Sequence, residues 1–251
     1  FARNNIGNKS SNYFQQENRW SVESASYPGP KRTWETYKFM VTLMGAAYSL
    51  KLPKIDRSAL RTMIGLRKYI CSQFKPNVAK SMYDLFKSKN VLDFSAGWGD
   101  RLCGFYASNH TERYVGVDPR KENHPIYREQ AETYKRMANG WLENKKTSEF
   151  FCEAAEDFDF SEYYDTFDMI FTSPPYFCVE RYGNDDNQSW VRYKSIDSWN
   201  TQFLHKAIDN MWPTLKSGGK LCINISDVYT NHQWSSDRRW LKICDPMNDF
   251  I

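Results

Sequence analysis

Three short segments hold residues whose types and spacing can do chemistry. In Asp93-Phe94-Ser95-Ala96-Gly97-Trp98-Gly99-Asp100-Arg101, an apolar run ends in a Gly-x-Gly turn. Glycine has no Cβ to clash, so backbone there can approach a ligand closely. About 20 residues further on, Val117-Asp118 ends a second apolar run. A carboxylate at that place can accept hydrogen bonds from the two ribose hydroxyls of an adenosine. Neither a Gly-Lys-Ser/Thr nor a third glycine of a dinucleotide motif follows, so an adenosine ligand without a pyrophosphate fits better. The third segment runs Phe171-Thr172-Ser173-Pro174-Pro175-Tyr176-Phe177. Its two prolines fix the backbone after an apolar run, which holds the Ser173 hydroxyl and the Pro174 carbonyl at set positions beside Tyr176.

Residues 93–99 and 172–176 together resemble the two signature motifs of S-adenosylmethionine-dependent, amino-methylating DNA methyltransferases. These are a glycine-rich donor motif and an [Asp/Asn/Ser]-Pro-Pro-[Tyr/Phe] catalytic motif. The resemblance covers residues 74–227. It implies that S-adenosylmethionine is held by Phe74, Pro76, Asp93, Ser95, Ala96, Gly97, Gly99, Asp118, Glu156 and Thr172. It also implies that Ser173, Pro174, Pro175 and Tyr176 do the catalytic work. Residues 152–157 sit where such enzymes contact adenine, and 221–227 resemble the strand after the catalytic one. The donor motif precedes the catalytic one, an order that enzymes with the Ser version often reverse. Ser in the first catalytic position implies N4 of cytosine ahead of N6 of adenine. Amino-methylation of RNA, and an inactive subunit that only binds nucleic acid, are the other readings the resemblance leaves.

That chemistry has a physical rationale. The lone pair of an exocyclic amine is delocalised into its ring, which makes it a poor nucleophile. If Ser173 and the Pro174 carbonyl accept its two hydrogens, the nitrogen turns toward tetrahedral geometry and its lone pair becomes available; this is alignment and preorganisation, not covalent catalysis. Methylation at carbon 5 of cytosine needs a nucleophilic Cys, typically after Pro, and no Pro-Cys occurs here. The target base must leave the stack, and Tyr176, with Phe177 beside it, is placed to stack on it.

The elements that must position these groups read as an α/β fold: a doubly wound, mostly parallel sheet of Rossmann-like class I methyltransferase type. Candidate strands are 91–94, 114–117, 150–152, 169–171 and 221–225, with room for helices between most of them. Ligands of such sheets bind at the carboxyl ends of the strands. Ahead of the sheet, helices are expected over 31–50, 56–74 and 77–87, and residues 1–30 read as an irregular arm. Residues 1–73 form one expected unit and 74–251 the other.

Charge divides along the same line. Residues 1–90 hold 16 Lys and Arg against 5 Asp and Glu, a net of +11, while the remainder carries −7. A basic region of this kind is the footprint of a polyanion-binding face. Arg57, Arg61 and Lys68 fall on one face of their helix and are expected to meet phosphates. The polar and aromatic stretch 177–199, carrying Arg181, Tyr182 and Trp190, is expected to be a loop that contacts DNA. The six cysteines are scattered with no C-x-x-C and no His cluster, so no metal site is indicated and they read as reduced thiols of a cytoplasmic protein. No apolar run approaches the length of a membrane span.

Overall fold

The computed structural model of the protein describes residues 4–25, 27–67, 70–138, 145–229 and 240–251. Its centre is a five-stranded sheet: β1 (Asn90–Asp93), β2 (Arg113–Val117), β3 (Thr147–Phe151), β4 (Phe167–Thr172) and β5 (Leu215–Ile223). The spatial order is β3-β2-β1-β4-β5, and every pairing is parallel. Each expected strand is present. The last strand begins earlier than expected, at Leu215, and its register against β4 shifts between Phe167 and Met169.

Alternation along the strands builds two cores, because successive side chains point to opposite faces. Val91, Tyr114, Met169 and Phe171 pack with Ala79, Tyr83, Leu102 and Phe105 on one face. The helices there are α3 (Pro76–Phe86), α4 (Asp100–Ala107) and α5 (His124–Ala138). Leu92, Val115, Val117 and Ile170 face the other way, onto Trp199, Phe203, Leu204, Ala207 and Met211. Those residues lie on a continuous helical run, Ile196–Trp199, Asn200–His205 and Lys206–Met211, whose middle part is π-helical.

This order makes a doubly wound sheet, so the fold expected from the sequence is the fold observed. Its switch point falls between β1 and β4, which pair directly through Val91 with Met169 and Leu92 with Ile170. The crevice of such a sheet opens where the winding reverses. Topology alone therefore brings the segment after Asp93 and the segment after Thr172 to one place.

Ahead of the sheet the expectations need correction. Residues 9–20 are not irregular: Lys9–Phe14 and Gln16–Trp20 are helical, with Ser11, Gln15 and Arg19 buried. No apolar period announces them, because they dock through polar groups. Gln73 Nε2 donates to Ser11 Oγ at 2.7 Å, and Arg120 Nη2 donates to Ser21 Oγ at 3.0 Å. The helix expected over 31–50 is broken at Thr36 into Pro30–Glu35 and α1 (Tyr37–Ser49). The next helix, α2 (Arg57–Arg67), stops short of 74. Beyond it Ser72 is held by Glu180, whose Oε1 accepts from its N at 2.8 Å and its Oγ at 3.1 Å. Tertiary bonds there take the backbone groups that a longer helix would have used. Among the described residues no helix is long and apolar enough to cross a membrane.

Candidate active site

A cleft of about 410 Å³ opens at the carboxyl ends of the strands, within the size range of small-molecule sites. All five strands contribute to its wall: Ser95 after β1, Asp118 after β2, Glu156 after β3, Ser173 after β4 and Asn224 after β5. The donor loop and the Ser-Pro-Pro-Tyr segment thus face one space.

The two glycines of the donor loop do different jobs. Gly97 has φ +59, and a Cβ built on it would meet nothing nearer than the Ser95 carbonyl at 3.7 Å, so this glycine serves the turn and leaves the cleft open. Gly99 has φ +73 and its Cβ would strike the Gln130 side chain at 2.3 Å; it serves the packing of α5 and does not line the cleft.

Asp118 is 7% exposed and ties the loop to the end of β2. Its Oδ2 accepts from Gly97 N at 2.8 Å and its Oδ1 from Arg120 N at 3.0 Å. Four lone-pair sites on a carboxylate leave room for ribose hydroxyls besides these two. Burial raises its pKa, and the two backbone donors pull it back down. Glu156 also lines the cleft; its Oε1 accepts from Arg192 at 3.0 Å and Tyr193 at 3.1 Å, while burial pushes its carboxyl up.

The other expected cofactor contacts divide. Phe74, Ser95 and Ala96 line the cleft. Pro76, Asp93 and Thr172 do not. Pro76 is buried at the first turn of α3. Thr172 is fully buried in its strand, where its carbonyl accepts from Asn224 N at 2.9 Å. Asp93 is also fully buried and is spent on the protein: it accepts from Arg101 Nε at 2.7 Å, Arg101 Nη2 at 3.1 Å and the Tyr114 hydroxyl at 2.7 Å.

Ser173, Pro174, Pro175 and Tyr176 all line the cleft. Phe177 does not. It adopts φ +51, rare for a bulky side chain, which turns its ring inward to meet Trp199 edge-on at 6.1 Å. At 4% exposure it is core, and the expected stacking role for it is withdrawn. The stretch after it is no plain loop: Glu180–Arg181 pairs antiparallel with Glu23–Ser24, and Ser189–Arg192 is helical. Tyr182 lines the cleft and packs edge-on against Trp98 at 5.7 Å. The Arg181 guanidinium lies 4.9 Å from the Trp190 ring centroid. Arg57 and Arg61 are exposed on α2, whose Met63 packs with Leu43 and Ala46 in a small cluster of its own. Lys68 lies outside the described residues.

Two cleft residues were missed by the sequence reading. Asp100 is 2% exposed with neither carboxylate oxygen hydrogen-bonded, and burial raises its pKa to about 7. Asn224 donates through Nδ2 to both Ser173 Oγ, at 3.0 Å, and Tyr176 OH, at 2.9 Å. Neither carries a motif of its own. Asp100 reads as a first-turn acid favoured by the helix dipole, and Asn224 as one residue of the expected strand 221–225.

The wall suits S-adenosylmethionine on the chemistry of its donors. Buried polar atoms there lack protein partners: both oxygens of Asp100, Oε2 of Glu156 and Nη1 of Arg120. Such groups need ligand partners of both signs. A zwitterionic amino-acid tail and an adenosine supply them. Among the described residues no group of His, Cys, Asp or Glu could hold a metal ion.

Comparison with known proteins adds the family. Residues 167–251 match the N6/N4 family described as DNA methylase. No curated protein matches the chain. Among solved structures, a Bacillus halodurans protein assigned as a methyltransferase is 16% identical over 59% of this chain and 49% of its own, with a TM-score of 0.39. A Listeria monocytogenes protein assigned as an S-adenosylmethionine-dependent methyltransferase is 18% identical over 61% and 51%, at 0.36. A methyltransferase from Geobacter sulfurreducens is 14% identical over 72% and 75%, at 0.38. The chain spans about half the length of the first two. Scores this low carry no weight beside the sheet order, which establishes the fold by itself. The family match covers β4, the Ser-Pro-Pro-Tyr segment after it and β5, so this part of the chain is similar to the N6/N4 DNA methylases.

Proposed function

We propose that the protein transfers a methyl group from S-adenosylmethionine to an exocyclic amino group of a base in DNA, with N4 of cytosine favoured. The observation that carries this reading is the meeting of Ser173 to Tyr176 with Ser95 to Gly97 and Asp118 in one cleft. S-adenosylmethionine supplies an electrophilic methyl on a sulfonium. Gly97 and Asp118 hold the adenosine, and Phe74 and Asp100 bound the methionine end. Ser173 Oγ and the Pro174 carbonyl accept the amino hydrogens, and the Tyr176 ring faces the extruded base.

The product tests the reading. Nucleoside mass spectrometry on DNA from cells expressing the protein should show N4-methylcytosine. N6-methyladenine would keep the reaction and change the base, a methylated amino group found only in RNA would move the substrate, and 5-methylcytosine would overturn the mechanism.

The cofactor site is tested separately. Calorimetric titration of S-adenosylmethionine into Asp118→Ala should show a loss of about 1.5 to 3 kcal/mol, the scale of hydrogen bonds to a charged group. Equal affinities would remove Asp118 from the site.

For the partner, Arg57 and Arg61, exposed on α2, are the proposed contacts to backbone phosphates. Reversing both charges should weaken DNA binding across all sequences and flatten the slope of log affinity against log salt by about one unit per lost contact. A fluorescence-anisotropy salt series with an unchanged slope would leave them as ordinary surface. Arg181, Tyr182 and Trp190 belong to the same proposal, as contacts to the strand being opened.

A further inference from the structure

We propose that Asn224 is the positioning residue that presents Ser173 to the cleft as a hydrogen-bond acceptor and fixes Tyr176 beside it. The inference rests on the amino-methylation reading above. Asn224 directly follows β5, whose Ile223 pairs with Thr172, and its own N donates to the Thr172 carbonyl at 2.9 Å. That rung sets its backbone opposite Ser173.

The hydrogen bonds then assign polarity. Ser173 Oγ donates its one proton to the Asn224 carbonyl at 3.0 Å. It accepts from Asn224 Nδ2 at 3.0 Å. A hydroxyl has one donor and two lone pairs, so one lone pair is left for a ligand. The second Asn224 amide hydrogen goes to Tyr176 OH at 2.9 Å. Both N–H groups of one planar amide are therefore used to join the polar grip to the aromatic platform. A hydroxyl free to rotate could offer a proton as readily as a lone pair. Held this way, Ser173 can only accept, so the group it receives must bring hydrogen. An amino-bearing base edge satisfies it, whereas a keto oxygen would set lone pair against lone pair, at the penalty of an unsatisfied polar contact. Asn224 thereby selects the substrate class as well as holding the catalytic pair.

Glue that merely stabilises the fold would be expected inside the core. Asn224 is exposed, and it lines the cleft together with both its partners.

A positioning residue that acts mainly through Ser173 must lose most of its effect once Ser173 is gone, keeping only what it does through Tyr176. Methyl transfer from radiolabelled S-adenosylmethionine to DNA from a methylation-deficient host should be measured for wild type, Asn224→Ala, Ser173→Ala and the double variant. Asn224→Ala should lower kcat about tenfold, with calorimetric affinity for S-adenosylmethionine unchanged within about twofold. The double variant should fall by well under a further tenfold relative to Ser173→Ala alone. An unchanged kcat, or losses that multiply in the double variant, overturns the proposal. Asn224→Asp keeps the shape but loses both donors, and stands in if the Ala variant does not fold. Its carboxylate is ionised at neutral pH, so its kcat should be as low as that of the Ala variant; a kcat matching wild type is the contrary result. Wild type inactive on this DNA removes the amino-methylation reading itself, and Asn224's role falls with it.

Discussion

Replacing Ser173 by Ala is expected to lower methyl transfer by about 10²-fold or more while leaving S-adenosylmethionine affinity nearly intact. The magnitude is that of one preorganised hydrogen bond realised in the transition state. The split between rate and affinity follows from geometry. Ser173 follows β4 and is bound to Asn224, whereas Asp118 and Gly97, which hold the adenosine in this proposal, are bound to each other at the end of β2. Tyr176→Ala removes a ring and should weaken binding of the flipped-base complex, since base stacking on an aromatic ring is worth about 1 to 3 kcal/mol. Single-turnover rates and calorimetric titrations on the two variants should therefore differ in kind. Full activity in Ser173→Ala would sink the mechanism, because Pro174 alone cannot hold two hydrogens.

What the sequence made legible, and what it hid, follow from how each residue earns its place. The sheet was legible because β1, β2 and β4 are buried runs bounded by turn residues, and backbone periodicity is local. The Ser-Pro-Pro-Tyr segment was legible because two prolines and a strand end are also local. Asn224 was not, since its role exists only once β5 pairs with β4 and brings it within 3.0 Å of a hydroxyl 51 positions away. Phe177 misled for the same reason. Beside Tyr176 in sequence it looked like a second stacking ring, yet a positive φ and the Trp199 surface send it into the core. Residues 9–20 are polar enough to read as a loose arm, and residues far along the chain, Gln73, Arg120, Asn123 and Tyr134 among them, give that polarity its partners.

Asp93 is the sharpest case, and it carries the largest expected effect on stability. The family resemblance makes it a cofactor ligand, but the structure surrounds its carboxylate with Arg101 and Tyr114, and both charged side chains are at most 4% exposed. Arg101 does more than pair with it: the guanidinium also donates to the Ser95 carbonyl and lies 5.1 Å from the Phe74 ring centroid. It thus fastens the donor loop to the sheet from beneath. Removing one partner of a buried ion pair leaves an uncompensated charge and costs about 3 to 5 kcal/mol. That is a large share of a total stability of about 5 to 15 kcal/mol. Arg101→Ala should therefore lower the melting temperature by roughly 6 to 20 °C. Arg101→Lys should recover only part of the loss, because an ammonium cannot supply the two parallel donors that Asp93 receives. Asp93→Asn keeps the volume and strands the Arg101 charge instead, so it too should fall in stability. The two readings of Asp93 separate cleanly when calorimetric titration is run beside thermal denaturation at a temperature where the variant is folded. A structural anchor predicts a lower melting point with S-adenosylmethionine affinity changed by less than about threefold. A direct ligand predicts the reverse, an unaltered melting point and an affinity loss on the scale expected for Asp118→Ala, and that outcome would return Asp93 to the cofactor site.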